Sequence, residues 1–164
     1  MESMEQSPSS HLFVVHPNPE ERPALSRRMT ASGRLQPLEG TDALLLSLPA
    51  DRAAKPAWDH AREIVGAAGT VQPVLLDQEG EPHYPTGEIS VRFAEALGDQ
   101  ELQRFAAEHG LRLLRRNEFV SQQAVFQPLD ASGGYLPEIV ERLEREEGIR
   151  AAWANTLSRY RRAS

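Results

Sequence analysis

Apolar positions along this chain follow two rhythms, the period of a strand and that of a helix, and the order of these segments occurs twice. In the first round a strand over 12–15 leads to a helix over about 20–30, where Leu25 and Met29 lie four apart and face a sheet. Strands over 34–38 and 43–48, a helix over about 56–68 and a strand over 71–76 complete the round. The second round is displaced by about 78 residues. It runs through a strand over 89–93, a helix over 99–109, strands over 111–115 and 124–129, a helix over 135–147 and a strand over 149–155.

Local signals agree with these periods. Gly33 and Gly110 close the first helix of each round, and Gly69 and Gly148 the second, as left-handed terminators. Asp51 and Asp99 stand where N-caps belong, and Pro56 falls in a first helical turn. Trp58, Ala61 and Ile64 share one side of their helix, and Trp58 reads as a packing residue. Leu102, Phe105 and Ala106, then Leu136, Ile139, Val140 and Leu143, form the later buried stripes. Glu138–Arg142 and Glu141–Arg145 are spaced for ion pairs on a solvated helix face. The expected fold is α+β, two tandem ferredoxin-like βαββαβ units, each an antiparallel sheet with two helices on one face. The expected divisions are a disordered lead over 1–10, a first unit over 11–77, a turn-rich connector over 78–87, a second unit over 88–155 and a basic tail over 156–164.

Composition narrows the function classes. The chain has 164 residues, 40% of them hydrophobic and 26% charged, which suits small soluble units. It has no cysteine, which removes disulfides, thiolate catalysis and cysteine-based metal binding. No apolar run approaches the ~18 residues of a membrane span, and the first ten residues lack a secretory pattern, so a cytoplasmic protein without a membrane partner is expected. The net charge of −6 argues against a generic nucleic-acid binder. Charge is unevenly placed: five Glu and two Arg lie between Glu138 and Glu147, whereas Arg150 to Ser164 carries four Arg and no acid.

Recognisable catalytic machinery is lacking. There is no nucleophile elbow, glycine-rich nucleotide loop, P-loop or zinc-protease helix. The five histidines (His11, His16, His60, His83 and His109) have no helical metal-ligand spacing. Phe93, Phe126 and Trp153 sit on strands but lack the basic, glycine-rich setting of RNA-stacking residues and read as core. A non-enzyme without cofactor or metal is expected. In the strand over 89–93, Ile89, Val91 and Phe93 alternate with Glu88, Ser90 and Arg92, which leaves a polar sheet face open to a partner.

Motifs of the second round resemble the propeptides of subtilisin-like serine proteases. They are the stretch Thr86-Gly87-Glu88-Ile89-Ser90-Val91-Arg92-Phe93, the stretch Glu108-His109-Gly110-Leu111-Arg112-Leu113-Leu114-Arg115, and the last strand Ile149-Arg150-Ala151-Ala152-Trp153-Ala154-Asn155. Trp153-Ala154 stands where that family has Glu-Pro. With a degenerate first copy, the whole chain is similar to the N-terminal prodomain of fervidolysin-like proteases. The resemblance implies an inhibitor or folding chaperone of a subtilisin-like serine protease, acting in trans. The polar face bearing Glu88, Ser90 and Arg92 would dock on the protease, Glu118 would cap helix N-termini of the partner, and the tail Thr156, Leu157, Ser158, Arg159 and Tyr160 would enter its cleft as an added strand. The alternatives are a non-inhibitory interaction adaptor and a tandem small-ligand regulatory module.

Overall fold

The pairing of strand-period and helix-period segments gives nine strands and four α-helices among the residues described by the computed structural model, 6–30, 35–129 and 134–157. They form two units. Among the described residues, unit 1 comprises the chain up to Pro85 together with Thr156 and Leu157, and unit 2 lies within Thr86–Asn155. Each unit has its own antiparallel sheet and two helices.

Unit 1 contains β1 (Ser7–Pro17), α1 (Arg22–Thr30), β2 (Leu35–Pro37), β3 (Leu44–Ser47), α2 (Ala54–Val65), β4 (Gly69–Leu76) and β5 (Pro82–His83). The sheet order is β2-β3-β1-β4-β5. Phe13 lies across from Leu46 and Val15 from Leu44, which places these four on one face. Val14, across from Leu45, points to the other. Phe13, Val14 and Val15 are all fully buried, so the central strand is covered on both sides. A continuous apolar run is what such a strand requires. The α2 helix buries Ala57, Trp58, Ala61 and Val65. Its Trp58 Nε1–H donates to the carbonyl of Val71 at 2.8 Å, and the Arg62 guanidinium lies 4.4 Å from the indole centroid.

The structure corrects several expectations for unit 1. The first strand starts at Ser7, pairs there with Leu76 and buries Ser9, so the expected disordered lead does not reach Ser7–Ser10. The N-cap of α2 is Ala53 rather than Asp51, and its buried stripe passes through Val65 rather than Ile64. Gly66 is the left-handed residue that ends α2, with φ of 63°. Gly69 is extended and begins β4; a Cβ there would lie 2.6 Å from the His16 carbonyl oxygen, so glycine is required by the close approach of β1. Pro82 and His83, expected in a connector, add a fifth strand against Leu76 and Leu75. Leu25 is buried as expected. Gly33 and the side chain of Met29 lie outside the described residues.

Unit 2 contains β6 (Pro85–Phe93, which enters from the unit boundary), α3 (Asp99–Glu108), β7 (Leu111–Arg116), β8 (Gln123–Pro128), α4 (Leu136–Glu144) and β9 (Ile149–Thr156). The sheet order is β7-β8-β6-β9. One core joins Ile89, Val91, Phe93, Ala124 and Phe126 from the sheet to Leu102 and Ala106 of α3 and Leu136 and Leu143 of α4. Both helices therefore cover the same sheet face. Phe93 meets Phe105 edge-on at 5.0 Å and Phe126 at 6.4 Å, a geometry that suits the ring quadrupoles.

Gly110 and Gly148 take the expected left-handed conformation after α3 and before β9. Asp99 is not the N-cap of α3. Gly98 holds that place, with its N–H donating to Glu101 Oε1 at 2.8 Å, while Asp99 pairs with Arg116 at 3.1 Å. The expected Glu141–Arg145 pair is present at 3.3 Å.

Candidate functional site

Alternation along β6 decides what its two faces carry. With Ile89, Val91 and Phe93 in the core, Glu88, Ser90 and Arg92 point away from the helices. The register extends this face across the sheet, since Ser90 lies opposite Val125 and Arg92 opposite Gln123 on β8. Arg112 lies opposite Gln127 and Arg115 opposite Val125 on β7.

Polar groups of this face are held in place by one another. The Ser90 hydroxyl, nearly fully buried, donates to Asn155 Oδ1 at 2.7 Å. Glu88 accepts from Arg115 Nη2 at 2.9 Å. Arg92 Nη2 donates to Gln123 Oε1 at 3.1 Å, and its guanidinium stands 5.9 Å from the Trp153 ring centroid. Arg112 Nη2 donates to Gln127 Oε1 at 2.6 Å. Three guanidinium groups thus face one carboxylate on a chain whose net charge is −6. Trp153, expected in the core, instead lies half-buried beneath Arg92 on this outer face.

The loop between β7 and β8 is built by Asn117. Its Oδ1 accepts the N–H groups of Phe119 at 2.8 Å and Val120 at 2.9 Å. Its own N–H donates to the Gln123 carbonyl at 2.9 Å, and the Gln123 N–H donates to the Val120 carbonyl at 3.0 Å. An Asx turn of this kind orders a loop through local side-chain bonds. Glu118 is exposed within it, and Phe119 beside it is 91% exposed.

The expected site residues therefore separate into three places. Glu88, Ser90 and Arg92 share the outer face of unit 2, and Glu118 stands on the hairpin loop of the same unit. Thr156 is the last residue of β9. Leu157 belongs to unit 1: its N–H donates to the Tyr84 carbonyl at 2.8 Å and its side chain packs with Val14, Leu38, Ala43 and Val74. The expected cleft-entering segment is thus fastened at its first two residues. Ser158, Arg159 and Tyr160 lie outside the described residues. Sequence reasoning missed Phe119. Its signal was an apolar residue two places after an asparagine, in a segment with no strand or helix period.

Among the described residues no cluster of His, Asp or Glu is arranged to hold a metal ion, and no helix is long and apolar enough to cross a membrane. Comparison with protein-family models, curated proteins and solved structures finds no match to this chain.

Proposed function

We propose that this chain is a tandem of ferredoxin-like βαββαβ units that binds a subtilisin-like serine protease in trans, with unit 2 as the docking unit. The fold half of this reading is supported by the strand orders β2-β3-β1-β4 and β7-β8-β6-β9, in which the first strand of each unit lies between its third and fourth. The observation that carries the functional half is the outer face of unit 2. It is polar, internally hydrogen-bonded and arginine-rich, and β6 beneath it bears the propeptide-like stretch from Thr86 to Phe93. Ordered polar groups of this kind lower the ordering cost of docking. Glu118 is exposed on the adjoining loop, and in this reading it would meet a helix N-terminus of the partner.

A second reading, a non-inhibitory adaptor, is favoured by the fastening of Leu157 to Tyr84. A substrate-like tail would begin only after that point. The two readings separate in a titration of subtilisin-like proteases with the full chain and with a chain ending at Leu157, which keeps the packing of unit 1. Submicromolar inhibition lost on shortening is the expected result and identifies an inhibitor. Binding by both forms without inhibition identifies the adaptor. No binding to any protease removes the propeptide reading.

A further inference from the structure

We infer that unit 2 recognises its partner by inserting Phe119 into an apolar socket on an acidic protein surface, with Arg92 and Arg112 meeting carboxylates of that surface. The inference rests on the protein-docking reading above and adds the chemistry of the partner to it.

A phenyl ring 91% exposed on an ordered turn forgoes burial that a folding chain ordinarily takes. Its backbone is already held by Asn117, so little freedom remains to be lost when the ring is covered. Aromatic residues of this kind dominate interface energies when they enter a water-free pocket.

The charges specify the partner surface that would face the sheet. Arg115 and Arg116 are neutralised by Glu88 and Asp99. Arg92 and Arg112 are bonded to the neutral amides of Gln123 and Gln127, and among the described residues neither has a carboxylate partner. The amides fix the two guanidinium groups without cancelling their charge. They stand on opposite sides of β8, at rungs four residues apart, roughly 13 Å along the strand at ~3.3 Å per residue. Such a fixed, uncompensated pair is complementary to acidic side chains and steers association with an acidic surface.

A protein fits this face better than a nucleic acid. The Trp153 ring that could stack on a base is overlaid by Arg92, and the chain as a whole is acidic.

The test measures binding of the full chain to each protease of the panel above by calorimetry across a salt series, with a labelled oligouridine as an additional probe. Phe119→Ala is expected to weaken binding about ten-fold or more while leaving the thermal midpoint unchanged. The double variant Arg92→Gln, Arg112→Gln is expected to weaken binding by more than about two-fold at low salt and flatten the salt dependence. Protease binding that both variants retain within about two-fold of the parent overturns the inference and leaves the docking reading standing, since alanine at a true anchor costs more than this. Capture of the oligouridine in place of a protease overturns the inference by changing the class of ligand. No binding of either probe by the parent chain removes the docking reading and the inference together.

Discussion

The two units repeat one order of elements and finish their sheets differently on the second face. In unit 1 that face carries Val14, Leu38, Ala43 and Val74, packed with Leu12, Leu45, Leu76, Tyr84 and Leu157. In unit 2 it carries the charged side chains of Glu88, Arg92, Arg112 and Arg115, tied by polar contacts around the buried Ser90 and Val125 and the half-buried Trp153. The first sheet is enclosed by its own chain, using residues drawn from the connector and from beyond β9. The second keeps its charge outward. Unit 1 is thus packed with apolar residues on both faces of its sheet, whereas unit 2 has charged and polar residues on one.

The largest effect that would break this comparison comes from charging each face in turn. Val14→Asp places a carboxylate at a fully buried position among apolar residues, with no cation across from it and only the buried Gln72 amide on the neighbouring strand, and is expected to cost unit 1 on the order of 3–5 kcal/mol, enough to abolish the fold of a unit this size. Arg92→Asp, on the exposed face of unit 2, is expected to cost about 1 kcal/mol or less. Each unit holds one tryptophan, Trp58 in unit 1 and Trp153 in unit 2, so single-tryptophan variants report the two denaturation curves separately. Comparable losses for the two substitutions would show that the second face is also enclosed, and the comparison would fail.

Removal of the returning residue is expected to have an intermediate effect. Leu157 is half-buried, so Leu157→Ala should destabilise unit 1 by about 1–2 kcal/mol through lost apolar burial, with little change in the Trp153 signal of unit 2. Its amide, bonded to Tyr84, should also exchange slowly with solvent in the parent chain. Fast exchange together with a neutral alanine substitution would release the segment and restore the case for a tail that enters a protease cleft.

Much of this contrast was legible in the sequence. The strict alternation of Glu88 to Phe93 announces a sheet with one polar face, and the order of helices and strands follows from apolar period alone. The enclosure of the first sheet is the part that sequence leaves unread: both rounds lead to the same expectation of helices on one face, and the residues that cover Val14 on the other are not local. Tyr84 and Leu157 pack on the cluster of Val14 from far along the chain, and no window of residues encodes such a contact. Trp153 was misplaced because β9 has alanines at 151, 152 and 154, so small residues fall on both faces and alternation gives no direction. Phe119 escaped because a loop has no period against which an exposed apolar residue stands out. The caps at Asp51 and Asp99 failed for a related reason: a capping residue is recognised by type, and the helix starts one or two residues away from where that type invites it.

Acid sensitivity sharpens the comparison with the smallest effect, because a defined carboxylate holds one edge of unit 1. Asp77 Oδ1 accepts the N–H groups of Glu79 and Glu81, both at 2.9 Å, and its Oδ2 lies 2.9 Å from His83 Nε2, joining the turn to β5. The hydrogen bond from His83, followed by that from the Glu81 backbone, holds the Asp77 carboxyl below its ordinary value. A group whose folded value is depressed contributes stability above its unfolded value of about 3.9, and that contribution is lost as pH falls through the folded value. The Trp58 midpoint should therefore decline between about pH 5 and pH 3 more steeply in the parent than in Asp77→Asn, which cannot titrate there. Parallel decline in both proteins would place the acid sensitivity of unit 1 elsewhere. A steeper decline confined to the Trp58 signal would show that β5, the strand by which the connector closes unit 1, depends on this one ionised turn.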